Sequence, residues 1–156
     1  MRPRGFTLIE LLVVISIVAV LATIALPLAE MAQKRSQEEE LRHSLRQIRS
    51  AIDAYKLMGD QGRLSRQVGD TGYPADLNVL VDGVVDAQSP KAEKVYLLRI
   101  LPRDPFAPTT ITSAAETWAP RSYASPPTDP QPGRDIFDVH SKSKEVGLNG
   151  VPYSRW

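Results

Sequence analysis

Between Leu11 and Ala29 lie nineteen consecutive residues without a charge. At about 1.5 Å per helical residue, roughly nineteen to twenty-three residues cover the ~30 Å hydrocarbon core of a bilayer, so the run is long enough to span it. Arg2 and Arg4 are the only charges that precede Glu10. The positive-inside bias then places the N-terminus in the cytoplasm and everything after Ala29 outside. Pro27 falls near the far end, where its missing N–H and ring clash kink a helix without destroying it. A secretory signal peptide shares the basic start, but its apolar stretch is shorter, about 7–15 residues, and no small-x-small site here leads into a polar start. Glu10 also argues against it, because a carboxylate kept at the mouth of an inserted helix calls for a partner.

The residues around that acid read Gly5-Phe6-Thr7-Leu8-Ile9-Glu10-Leu11-Leu12-Val13-Val14. This segment resembles the class III signal of type IV pilins and type II secretion pseudopilins. The resemblance implies a leader of residues 1–5, cleavage between Gly5 and Phe6 by a membrane peptidase, and methylation of the new Phe6 amine. It further implies that Glu10 pairs with the N-terminal amine of a neighbouring subunit, with Phe6, Glu10 and Pro27 as assembly residues in a membrane-spanning and filament-core helix over 6–29. Physical logic agrees, because a carboxylate leaving lipid for a helical bundle needs a cation and the adjacent amine can supply it.

Composition bounds the remainder. Cleavage after Gly5 removes two arginines and moves the formal charge from +1 to −1, which offers no electrostatic case for nucleic acid. About 127 residues follow the apolar run, enough for one small domain, 30–156, with its own core. Cysteine is absent, so no disulfide can support that domain. Many type IV pilins close their C-terminal region with one, and the absence tilts the resemblance toward pseudopilins.

From Glu30 to about Met58 the pattern changes. Leu41, Leu45, Ile48, Ile52 and Tyr55 recur at helical spacing, forming one stripe to bury against a sheet. Glu38, Glu39, Glu40, Arg42, Arg46 and Arg49 read as a solvated face, with contacts to neighbouring subunits as the alternative. Gly59, Gly62 and Gly69 then end the helix, implying one continuous helix from Phe6 to about Leu57, roughly 78 Å. A short helix is expected over Tyr73 to Val81, and a rigid turn at Arg103-Asp104-Pro105-Phe106. Trp118 to Ser125, Ile136 to His140 and Val151 to Trp156 have the residues of strands, separated by a proline-rich loop from Ser125 to Gly133.

The tyrosine-proline helix, the Pro102-Arg103-Asp104-Pro105-Phe106 turn, and Ile136 to Ser141 followed by Gly147 to Trp156 are similar to the major pseudopilin. That resemblance implies a calcium loop after Ser141. Here the loop, Lys142-Ser143-Lys144-Glu145-Val146, has two lysines and one acid, whereas calcium takes six to eight oxygens. No cofactor is therefore expected, and the loop is read as a turn held by Gly147, Asn149 and Gly150, with Asp138 bonding backbone amides; Asp138, Ser141 and Asn149, which can still offer oxygens, are the weak calcium candidates.

Other chemistry is thin. His43 falls on the water-facing side of the helix, and His140 and Ser141, adjacent in a strand, point to opposite faces. Neither a glycine-rich phosphate loop nor a cysteine–histidine metal pattern is present, so no enzyme is expected. The chain is therefore read as α+β with a type IV pilin-like fold: a long N-terminal helix, membrane-spanning in its first half, packed on a small C-terminal antiparallel sheet. The implied function is a structural pseudopilin that polymerises with itself in the periplasm, anchored before assembly in the bacterial inner membrane. The implied partners are the prepilin peptidase, minor pseudopilins, the inner-membrane platform with its ATPase, and the secretin. A type IV pilus subunit for adhesion, motility or DNA uptake is the alternative.

Overall fold

The computed structural model describes residues 5–65 and 69–156 and, for Ile24, the backbone alone. Arg2 and Arg4, on which the orientation rests, lie outside the described residues. Helix α1 runs Leu8–Asp60, continuous through Pro27. The chain divides within it into two compact units, Met1–Ser36 and Gln37–Trp156.

In the first unit the apolar side chains are exposed throughout the described residues, from Phe6 and Leu8 to Leu28 and Met31. A helix segment that is apolar and exposed all round belongs in lipid or in a bundle of its own kind. Ser16 and Thr23 turn their hydroxyls back onto the carbonyls of Leu12 and Val20, at 2.8 and 2.7 Å, so neither adds an unpaired polar group to the apolar surface.

The second unit is built on the other half of α1. Leu41, Leu45, Ile48 and Ile52 are buried to within 2% of full burial, and with Ala51 they pack against Leu77, Leu80, Leu101, Trp118, Ile136, Val139 and Tyr153. Each such aliphatic side chain removed from water contributes about 1.5–3 kcal/mol. The helix ends as its glycines require: Gly62 takes φ +71°, its amide bonds the carbonyl of Gly59, and the Arg63 amide bonds that of Met58. This pair of bonds satisfies the last orphan carbonyls, and only a residue without a Cβ adopts that backbone cheaply. Gly59 itself stays helical.

Short elements cover the stripe. Helix α2 is one turn, Val79–Asp82, entered through an Asp76 carboxylate that accepts the Asn78 amide at 2.7 Å. Strands β1 (Val84–Val85) and β2 (Lys94–Val95) pair antiparallel. Helix α3, Ala114–Thr117, leads directly into β3, Trp118–Arg121, which pairs antiparallel with β4, Asp138–Ser141. The sheet expected over Trp118 to Ser125 is thus shorter, because Ser122 to Ser125 close a turn. The expected last strand is a single turn of 3₁₀ helix, Tyr153–Arg155, with one bridge between Val146 and Pro152. Pro152 has no N–H to continue a ladder, and the Arg155 and Trp156 amides instead reach back three residues.

Candidate functional site

The N-terminal site is set by three residues. Gly5, Phe6 and Thr7 precede the helix in irregular conformation, and a Cβ built on Gly5 meets nothing within 4 Å. Phe6 is 87% exposed. Thr7 and Glu10 then cap α1 reciprocally: the Thr7 amide and hydroxyl both donate to Glu10 Oε2 at 2.9 Å, and the Glu10 amide donates to Thr7 Oγ1 at 3.3 Å. Two helix-end amides are satisfied at once, as in a capping box. The same carboxylate keeps Oε1 without a partner among the described residues, so one acceptor oxygen at the helix mouth stays available. The Thr7-x-x-Glu10 spacing is the sequence signal of this cap. Pro27 sits within α1 among exposed apolar residues.

At the other end of the chain, the three candidate metal oxygens face separate partners. Asp138 lies between Arg49 and Arg121, with Nε of Arg49 at 2.7 Å from Oδ1 and Nη2 of Arg121 at 3.3 Å from Oδ2. Ser141 Oγ, fully buried, donates to Asp104 Oδ2 at 2.5 Å. Asn149 Oδ1 accepts the Val151 amide at 3.0 Å. Among the described residues, no group of three or more His, Asp or Glu side chains is placed to hold a metal ion.

Three buried acids escaped the sequence reading. Glu38 belongs to the face read as solvated yet is 5% exposed, and its Oε1 accepts the Tyr153 hydroxyl at 3.0 Å and the Leu148 amide at 2.6 Å. Arg49 is half-buried and leaves the solvated class as well, while Arg42 stays exposed with its guanidinium 4.4 Å from the Trp156 ring centre. Asp104, expected within a rigid turn, makes that turn by accepting the Phe106 amide at 2.8 Å while holding Ser141. Asp135 accepts from the Thr71 hydroxyl, from Ser122 Oγ at 2.5 Å and from the Tyr123 amide at 3.1 Å.

Burial pushes the Asp135 carboxyl up, but these donors, with the Arg134 charge, together pull it below the ordinary carboxylate value. A carboxylate depressed in the folded state stabilises above its unfolded pKa of about 3.9 and loses that contribution as pH falls through its folded value. Asp135→Asn is expected to flatten the acid limb of a melting-temperature profile. An acid limb identical to that of the natural chain would contradict this.

His140 and Ser141, adjacent in β4, are not hydrogen-bonded to each other through their side chains. Ser141 Oγ is turned to Asp104, while His140 Nδ1 lies 3.0 Å from the Ser141 carbonyl. His43 is exposed, as its helical position requires.

Residues 1–26 match the family described as the prokaryotic N-terminal methylation motif. The chain is 30% identical over 111 residues to the type II secretion system core protein G of Pectobacterium carotovorum subsp. carotovorum, covering 67% of this chain and 63% of that one. It is 40% identical over 60 residues to the type IV major fimbrial protein FimA of Dichelobacter nodosus, 38% of each chain. It is 35% identical over 72 residues to the type IV major pilin protein PilA of Myxococcus xanthus, 46% of this chain and 32% of that one. The chain thus spans less than two thirds of the length of each. No solved structure matches it. The methylation motif at the mouth of an exposed apolar helix, the α+β unit built on that helix's second half, and these relatives together place the chain in the type IV pilin-like family.

Proposed function

We propose that the protein is a major pseudopilin, a structural subunit that polymerises into a periplasmic filament driving type II secretion. The observation that carries this is the reach of the similarity: 111 residues with the secretion protein, far into the second unit, against 60 and 72 with the two fimbrial proteins. The absence of cysteine points the same way. In this reading the apolar part of α1 spans the inner membrane with its N-terminus cytoplasmic. Subunits leave the lipid one at a time under the action of a platform and its ATPase, and the growing fibre, with its minor pseudopilins, works toward the secretin. The subunit's part is shape and contact, not catalysis. Deleting the gene in its native host is expected to stop release of folded exoproteins while leaving surface-pilus motility intact; the reverse result would assign it to a surface pilus.

Processing falls at Gly5-Phe6 in the same reading. Because a Cβ at Gly5 meets nothing, a larger residue there leaves the fold untouched and acts only on the peptidase. Gly5→Leu is expected to slow cleavage about tenfold or more, the effect of roughly 1.4 kcal/mol at a transition state, and to leave precursor in the membrane. Mass spectrometry of the natural chain should find a methylated Phe6 at the N-terminus. A chain beginning at Met1, or cut near Ala29, would rule the site out.

A further inference from the structure

The resemblance to major pseudopilins implies a calcium ion in the loop after Ser141, and the residues of this chain do not fit one. Calcium takes six to eight oxygens, several of them anionic. Here both oxygens of the candidate carboxylate, Asp138, already accept from arginines. Ser141 Oγ is committed to Asp104 and accepts the Ser143 amide at 3.0 Å, and the Glu145 carbonyl accepts the Tyr153 amide at 3.1 Å. Lys142 and Lys144 add two exposed ammonium groups to the loop itself. A divalent ion would have to displace two guanidinium groups and approach two lysines.

We propose that Arg49 is the cation of this C-terminal closure, so that a guanidinium stands where relatives would need a metal. Its Nε donates to Asp138, and its Nη2 donates to the carbonyls of Val139 at 3.2 Å and Trp156 at 2.7 Å. One side chain thereby ties α1 to β4 and to Trp156. The Val139 amide donates to the same Asp138 oxygen at 2.8 Å, and Arg121, lying 4.6 Å from the Phe137 ring centre, closes the other side of the carboxylate. The planar fork of arginine reaches three acceptors on two segments; a lysine, as a point charge, does not. The site is positive before any metal arrives, with two arginines about one aspartate. This closure concerns the second unit alone and holds whether the filament serves secretion or a surface pilus.

The test is thermal melting of the full chain in detergent micelles, read by circular dichroism and tryptophan fluorescence, in millimolar calcium and in chelator. The natural chain is expected to melt at one temperature in both. Arg49→Met is expected to lower the midpoint by about 5–15 °C, Asp138→Asn to lower it less, and the double variant to lose less than the sum, because the two groups act as one pair. If Arg49→Met does not fold, Arg49→Lys takes its place. An intermediate loss supports the fork, and an unchanged midpoint overturns it. A saturable, calcium-dependent rise in the natural chain that disappears in Asp138→Asn, or strictly additive losses in the double variant, would overturn the proposal.

Discussion

Glu10→Leu is expected to enter the membrane at least as well as the natural chain and to form almost no filament. In the proposed reading this acid serves both the helix cap and the contact between subunits, and its two oxygens differ. Its Oε2 closes the first turn of α1 by accepting both Thr7 donors, while its Oε1 has no partner among the described residues. Leucine loses the cap but removes an ionisable group from the apolar half of the helix, so insertion gains. Assembly loses. A neighbouring chain's Phe6 amine, carried into a water-poor bundle, would find no carboxylate, and a charge stranded in that way is strongly unfavourable. Filament yield is expected to fall by about tenfold or more at equal expression, since many such contacts recur along one fibre. Thr7→Val is the informative companion: it removes the hydroxyl bond and leaves the carboxylate, so a mild effect beside a severe one in Glu10→Leu would assign the acid to the contact between subunits and not to the cap. Quantifying sheared filament against membrane-integrated subunit checks this, and a natural yield from Glu10→Leu would refute it.

The second unit shows what periodicity reveals and what charge conceals. Leu41, Leu45, Ile48 and Ile52 were legible because apolar residues at spacings of three and four have no other use. The same spacing extends back to Glu38, three residues before Leu41, which its charge disguised as part of the Glu38-Glu39-Glu40 run. Position had the better claim, since a buried acid is tolerated where donors converge on it. Arg49 was hidden for the opposite reason: it flanks the stripe beside Ile48, and its acceptors come from residues 89 to 107 positions further on, a separation no local pattern encodes. Strands β1 and β2, two residues each, exist through their pairing and left no signature to read. The proline loop was legible as a loop because Pro cannot serve a ladder, and its closure by Ser125 and Gln131 was not, since side-chain bonds of this kind follow from the turn already made.

Glu38 carries the last of the large effects. Glu38→Ala would remove the acceptor of the buried Tyr153 hydroxyl and of the Leu148 amide, at about 1–3 kcal/mol for the hydroxyl and less for the amide, whose residue is half-exposed. For a unit of this size that is a fall of about 10–20 °C in melting temperature. Glu38→Gln keeps an acceptor oxygen in place and should cost far less, which distinguishes hydrogen bonding from charge. The loop has no slack to compensate: a Cβ at Gly147 would stand 2.6 Å from the Trp156 ring and 3.2 Å from Glu38 Oε1, so the turn is already pressed against both. Alkaline pH probes the same contact. Burial first, then the bond and charge of Glu38, with Glu145 beyond, push the Tyr153 phenol far above its ordinary value of about 10. A group whose proton is held more tightly in the folded state stabilises fully below the unfolded pKa, and the contribution drains away as pH rises past it. Melting temperature should therefore fall as pH rises above about 10, and Tyr153→Phe should soften that fall. An alkaline limb unchanged in Tyr153→Phe, or a Glu38→Ala variant that melts with the natural chain, would show that the acid and the tyrosine do not hold the C-terminal turn to the helix.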